Sequence, residues 1–132
     1  MRALDAFAVR VAATLAPGDV VVLRGPLGAG KTTLARALVR ALHGSDDAVS
    51  SPTFVFRQTY PGTPPVEHVD LYRIDDPAEL PDLALDEAFA PDRITLVEWP
   101  ERAEDWLPAA RVEVTIDGAG AGPRRVRVRR LR

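Results

Sequence analysis

Eight consecutive residues, Gly25-Pro26-Leu27-Gly28-Ala29-Gly30-Lys31-Thr32, satisfy the pattern G-x-x-x-x-G-K-[ST] at every fixed position, and that pattern describes a loop built to hold phosphate. Its glycines open backbone conformations closed to other residues, so successive N–H groups can converge on an anion. Lys31 would bring a compact positive charge to β- and γ-phosphates, and the Thr32 hydroxyl would ligate Mg²⁺. A helix starting at this point turns its positive dipole end toward the same anion. Lys31 is the only lysine in the chain, beside sixteen arginines; a general preference for Arg gives way where a point-charge ammonium is needed.

Two further groups fit phosphoryl chemistry. Asp70 and Glu98 each close an apolar stretch, Val66 to Tyr72 and Arg93 to Trp99. A carboxylate in that place can hold Mg²⁺ through water or orient the attacking water, and the sequence leaves open which acid does which. Ser51-Pro52-Thr53 lies one helix after the loop. There it reads either as a switch closing on the γ-phosphate and Mg²⁺ or as a strand-entry turn.

The elements that must position these groups are legible in order. Residues 3 to 16 place Leu4, Phe7, Val11 and Leu15 near one helical face. Pro17-Gly18-Asp19 turns the chain into a buried strand over Asp19 to Arg24. A helix over Thr33 to Leu42 is stopped by His43-Gly44. Phe54 to Tyr60 and Val66 to Tyr72 read as strands joined by a Pro/Gly turn, residues 76 to 90 as one or two short helices broken at Pro81, and Arg93 to Trp99 as a buried strand. Val112, Val114 and Ile116 alternate ahead of a Gly/Ala loop, then Val126 and Val128 alternate with Arg125, Arg127 and Arg129, which predicts a β-hairpin. Its arginines suit RNA phosphate, an acidic partner or plain solvation.

At 132 residues and 46% apolar content the chain predicts one domain, residues 1–132. Without cysteine, disulfides and thiol chemistry are excluded, and two histidines leave little scope for a zinc site. No apolar run approaches a membrane span and no leader pattern opens the chain, so a soluble, cytoplasmic protein is expected, with no membrane contact. The net charge of −2 is unevenly spread: residues 67 to 105 hold thirteen acids against three Arg, while the last nine residues hold six Arg and no acid. The acidic stretch reads as a solvated surface or an interaction face.

With these residues assembled, the chain resembles the bacterial TsaE family, the ATPase of tRNA threonylcarbamoyladenosine biosynthesis. The resemblance rests on Gly25 to Thr33, Ser51-Pro52-Thr53-Phe54, His68-Val69-Asp70-Leu71-Tyr72-Arg73 and Val97-Glu98-Trp99-Pro100. It implies an α/β, P-loop NTPase-like three-layer fold with a central mixed sheet and a C-terminal β-hairpin. It also implies an ATP hydrolase using ATP and Mg²⁺ and supporting modification of adenosine 37 in tRNAs that read ANN codons. The partner implied is a threonylcarbamoyl-transferase heterodimer of TsaB and TsaD type proteins, with tRNA reached indirectly or through the Arg-rich hairpin. Carried onto this sequence, Pro26, Leu27, Gly28, Ala29, Gly30, Lys31, Thr32 and Thr33 line the nucleotide. Thr32 and Glu98 hold the metal, Lys31, Asp70 and Glu98 serve hydrolysis, and Ser51, Pro52 and Thr53 form the mobile loop. Members often carry Asp where Pro26 stands, and usually have a short segment before the first helix that contributes to adenine binding, so the resemblance names no adenine contacts here. A GTPase is disfavoured because the chain has no Asn for an Asn-Lys-x-Asp motif. The competing readings are a small-molecule kinase and a nucleotide-gated binding module.

Overall fold

The computed structural model describes residues 3–45, 49–50, 57–118 and 125–132. In chain order the elements are α1 (Ala3–Ala12), β1 (Val20–Arg24), α2 (Lys31–His43), β2 (Val49–Ser50), β3 (Arg57–Tyr60) and β4 (Val66–Asp70). A 3-10 segment (Pro77–Leu83), α3 (Leu85–Ala88), β5 (Ile94–Glu98), a second 3-10 segment (Pro100–Trp106), β6 (Arg111–Asp117) and β7 (Arg125–Leu131) follow. The expected hairpin is β6–β7, antiparallel from Arg111↔Leu131 to Asp117↔Arg125.

One seven-stranded mixed sheet runs in the order β2-β3-β4-β5-β1-β6-β7. Its centre, β4, β5, β1 and β6, is parallel; both flanks are antiparallel. Parallel central strands bury both faces, and β1 shows how. Val21 and Leu23 join the core under α1 and α2, with Leu34, Leu38 and Ile116. Val20 and Val22 join the opposite core with Val69, Leu80, Leu85, Val97 and Leu107, under the 3-10 segments and α3. The result is the three-layer α/β arrangement expected.

Boundaries shift for local reasons. The helix expected to reach residue 16 ends at Ala12, where the Thr14 hydroxyl and N–H both turn back to the Val11 carbonyl and Pro17 bars residue 16 from helical geometry. Conversely, α2 begins at Lys31, two residues earlier than read, because Gly30 takes a left-handed conformation (φ 104°) that starts the helix inside the loop. The strand expected to reach Tyr72 ends at Asp70, whose Oδ1 accepts the Tyr72 N–H at 3.0 Å and bends the chain away. The short helices over 76 to 90 are present, opened by Asp76 and Glu79 in a reciprocal cap, but the break between them falls at Ala84, which takes a left-handed conformation (φ 53°), and not at Pro81, which lies inside the 3-10 segment. The strand read from Phe54 is described from Arg57 onward.

The acidic stretch is not wholly a surface. Glu67 is 1% exposed, clasped by Arg57 Nε and Nη2 at 2.9 and 3.0 Å, by Arg93 Nη1 at 2.7 Å and by the Thr59 hydroxyl at 3.0 Å. It joins β3, β4 and the approach to β5. Burial pushes its carboxyl up, but the Arg57 hydrogen bonds and charge, the Thr59 hydroxyl and the Arg93 charge outweigh that and hold it below the usual range. At the other end of the sheet Arg24 bridges Glu104 at 2.7 Å and Glu113 at 3.1 Å, and Arg111 reaches the same Glu113 at 2.7 Å. That cluster fixes β1 where the glycine loop leaves it.

A carboxylate with a depressed folded pKa stabilises the fold above its unfolded value, and that stability is lost as pH falls through the folded value. Glu67→Gln strands two guanidinium groups and should cost about 3–5 kcal/mol at neutral pH. In denaturant titrations its deficit against the wild type should shrink as pH drops below about 4; a constant deficit would show that charge at Glu67 is not what holds β3 and β4.

Candidate functional site

The site forms where β1, β4 and β5 end together. In the parallel register Leu23 lies beside Glu98, and Glu98 beside Asp70, so the two acids stand on neighbouring strand ends, about 5 Å apart in the sheet. The chain leaves β1 through Gly25 and returns as α2, which brings the loop over these acids. Ligands of open α/β sheets bind in such crevices beyond the strand C-termini.

Gly25 is required by a close approach: a Cβ there would lie 2.6 Å from the Ile116 carbonyl oxygen. Gly28 (φ 81°) meets no such obstacle and is there for its left-handed backbone. The loop closes with the Ala29 N–H on the Pro26 carbonyl at 3.1 Å. No side chain caps the start of α2 and no acid sits in its first turn, so the dipole of the helix faces a crevice whose carboxylates, Asp70 and Glu98, come from the strand ends.

Lys31 is 5% exposed. Its ammonium donates to the Gly25 carbonyl at 2.6 Å and stands 3.2 Å from the centroid of the Trp99 ring, a cation–π contact. Burial pushes it below its ordinary value, against the pull of Glu101, Glu98 and Asp70. Trp99 holds its ring there from a left-handed backbone (φ 58°), a conformation costing a bulky residue of order 1 kcal/mol. Tyr72 also packs against that ring, with centroids 4.9 Å apart and the rings tilted 44°.

Thr32 Oγ1 donates to the Glu98 carboxylate, 2.8 and 2.9 Å from its two oxygens. Glu98 is 2% exposed, and His68 Nε2 approaches its Oε2 at 2.5 Å. A cavity of about 340 Å³ gathers Leu27, Gly28, Gly30, Lys31, Thr32 and Thr33 from the loop and α2 with Asp70, Tyr72, Glu98 and Trp99 from the strand ends. Every carboxylate and every loop side chain from Lys31 to Thr33 singled out in the sequence is therefore at this one place. Pro26 is exposed on the loop's outer side and Ala29 turns into the core. Ser51, Pro52 and Thr53 lie outside the described residues.

Hydroxyl and carboxylate oxygens suit Mg²⁺, which takes few protein ligands and completes its octahedron with phosphate and water. Among the described residues no group of three His, Asp or Glu side chains could hold a metal unaided. An ion at Thr32 and Glu98 would depend on the nucleotide.

Sequence reasoning passed over two features. His68 stood in a motif without a role, and its contact with Glu98 appears only once β4 and β5 are in register. A second cavity of about 500 Å³, lined by Leu4, Phe7, Ala29, Ile116 and Val126, opens against Gly30 and Thr33 and so adjoins the phosphate loop. Its walls come from both ends and the middle of the chain, and no local pattern announces it.

Comparison with known proteins gives a consistent result. A family model described as threonylcarbamoyl adenosine biosynthesis protein TsaE matches residues 1–126. The chain is 42% identical over 122 residues to a tRNA threonylcarbamoyladenosine biosynthesis protein TsaE of Bacillus subtilis, covering 92% of this chain and 75% of that one. It is 44% identical over 114 residues to the protein of that name from Streptomyces coelicolor, covering 83% and 76%. Among solved structures, Bacillus subtilis YdiB superimposes with a TM-score of 0.74 at 35% identity, covering 93% of this chain and 75% of that one.

Gly25→Ala should destabilise the protein by roughly 1–3 kcal/mol through overpacking against Ile116. Gly28→Ala, with open space around it, should cost about 1 kcal/mol from backbone strain alone. A Gly25→Ala variant melting with the wild type would contradict the close approach of Gly25 to β6.

Proposed function

The chain belongs to the TsaE family of tRNA threonylcarbamoyladenosine biosynthesis proteins, and from that premise we propose that it is a cytoplasmic, Mg²⁺-dependent ATPase. It would support modification of adenosine 37 in tRNAs reading ANN codons, together with a heterodimer of TsaB and TsaD type proteins. The observation that carries the ATPase reading is the convergence of Lys31, Thr32, Asp70 and Glu98 on one cavity at the end of three adjacent strands.

The roles follow from the positions. The loop amides and α2 dipole receive the phosphates, and Lys31 exchanges the Gly25 carbonyl and Trp99 face for the β/γ-oxygens. Thr32 and Glu98 supply the protein oxygens for Mg²⁺, whose chemistry would be to neutralise charge growing on the bridging and γ-oxygens. Asp70 lines the same cavity with one oxygen engaged by the Tyr72 N–H, and its other oxygen is suited to orient the attacking water. Glu98, already committed to Thr32 and His68, is the poorer candidate for that task. The apolar cavity beside Gly30 and Thr33 takes the base, whose flat aromatic faces suit its lining. No helix among the described residues is long and apolar enough to cross a membrane. The β7 arginines offer a basic surface for a partner.

ATP turnover with Mg²⁺ tests the reading directly. Wild-type turnover should rise when the heterodimer is added, and Lys31→Ala should lower it about 100-fold or more. Tight ATP binding without turnover under any condition would overturn the hydrolase. Placement of the base has a separate readout: Phe7→Ala should weaken ATP binding while leaving inorganic tripolyphosphate binding unchanged, and equal losses for both ligands would move the base elsewhere.

A further inference from the structure

Glu98 carries a heavier burden than a metal ligand at a protein surface would. It is 2% exposed, and a carboxylate in that environment is costly unless its oxygens are hydrogen-bonded. Thr32 Oγ1 can give it only one proton. The other partner is His68, itself 6% exposed, whose Nε2 stands 2.5 Å from Oε2. Facing a carboxylate at that distance, Nε2 carries the proton and donates.

The geometry follows from register. Val66, His68 and Asp70 alternate onto one face of β4, and His68 lies beside Leu96 while Asp70 lies beside Glu98. The imidazole thus stands one step behind the Asp70–Glu98 row, on the side away from the strand ends, and reaches forward under the carboxylate. Thr32 approaches the same carboxylate from α2. Held from β4 and from α2, the carboxyl group has little freedom to rotate.

We infer that His68 is a positioning residue: by donating from Nε2 to Glu98 Oε2 it fixes the plane of the carboxylate that, with the Thr32 hydroxyl, receives the divalent cation of a bound Mg–nucleotide. This rests on the ATPase reading and extends it to a residue that touches neither nucleotide nor metal. His68 lets Thr32 keep its proton on Glu98 while its lone pairs face the ion. Without the imidazole, Glu98 swings, and the two protein oxygens no longer present themselves together.

Direct binding of a non-hydrolysable ATP analogue, titrated with Mg²⁺ and repeated in EDTA, tests this without reference to turnover. His68→Leu should raise the Mg²⁺ midpoint about 10- to 100-fold, as loss of a ligand-orienting partner does, and change the EDTA affinity by no more than about twofold. His68→Gln, whose amide can donate from nearly the same point, should recover most of the loss. Because leucine leaves Glu98 short of a donor in the core, His68→Asn, polar but too short to reach Oε2, serves as a second loss variant if His68→Leu does not fold. An unchanged Mg²⁺ midpoint in either loss variant, or an equal loss in EDTA, overturns the positioning role while leaving the ATPase reading intact. A wild-type protein whose analogue binding ignores Mg²⁺ overturns both.

Discussion

A carboxylate removed from water must be met by hydrogen bonds, and at Glu98 that requirement is met by groups from two separate segments. β5 runs between β4 and β1, so a side chain at its end can be served from both sides. The β4 side supplies His68. The β1 side supplies the glycine loop, and through it Thr32 at the start of α2. Had β5 been at an edge, one of these partners would have been replaced by water and the carboxylate would be a flexible surface acid. The central parallel order thus delivers functional groups as well as burying apolar area.

Much of this could be read from the sequence because the relevant signals are local. The loop pattern spans eight residues, the strands are short apolar runs, and Asp70 and Glu98 announce themselves by closing such runs. What could not be read depends on register or on backbone conformations that propensity does not encode. The pairing of His68 with Glu98 follows from the alignment of β4 with β5, and a slip of one residue would turn His68 to the other face. The left-handed Trp99 has no sequence signal, since a bulky aromatic is a poor occupant of that region. Glu67 was indistinguishable from its acidic neighbours until β3 placed Arg57 across from Val69, one step along the ladder, with Arg93 arriving from the start of β5. Composition read that stretch as a solvated surface or an interaction face; two of its acids are among the most deeply buried of the described residues.

The two halves of the site obey opposite rules. Around Lys31, Thr32, Glu98 and Asp70, each group is fixed by polar partners with definite angles, so small displacements matter. Beside Gly30 and Thr33, the cavity of Leu4, Phe7, Ala29, Ile116 and Val126 is bounded mostly by apolar surface, whose attraction scales with area and tolerates modest shifts. A ligand spanning both would be oriented at one end and simply accommodated at the other.

The borders of the sheet have a consequence of a different kind. One border is β7, where Arg125, Arg127, Arg129 and Arg130 crowd seven residues. A strand dense with guanidinium groups repels its own copy brought alongside. Along β7 the chain thereby discourages edge-to-edge growth of its sheet, so high concentration alone need not turn that border into a template.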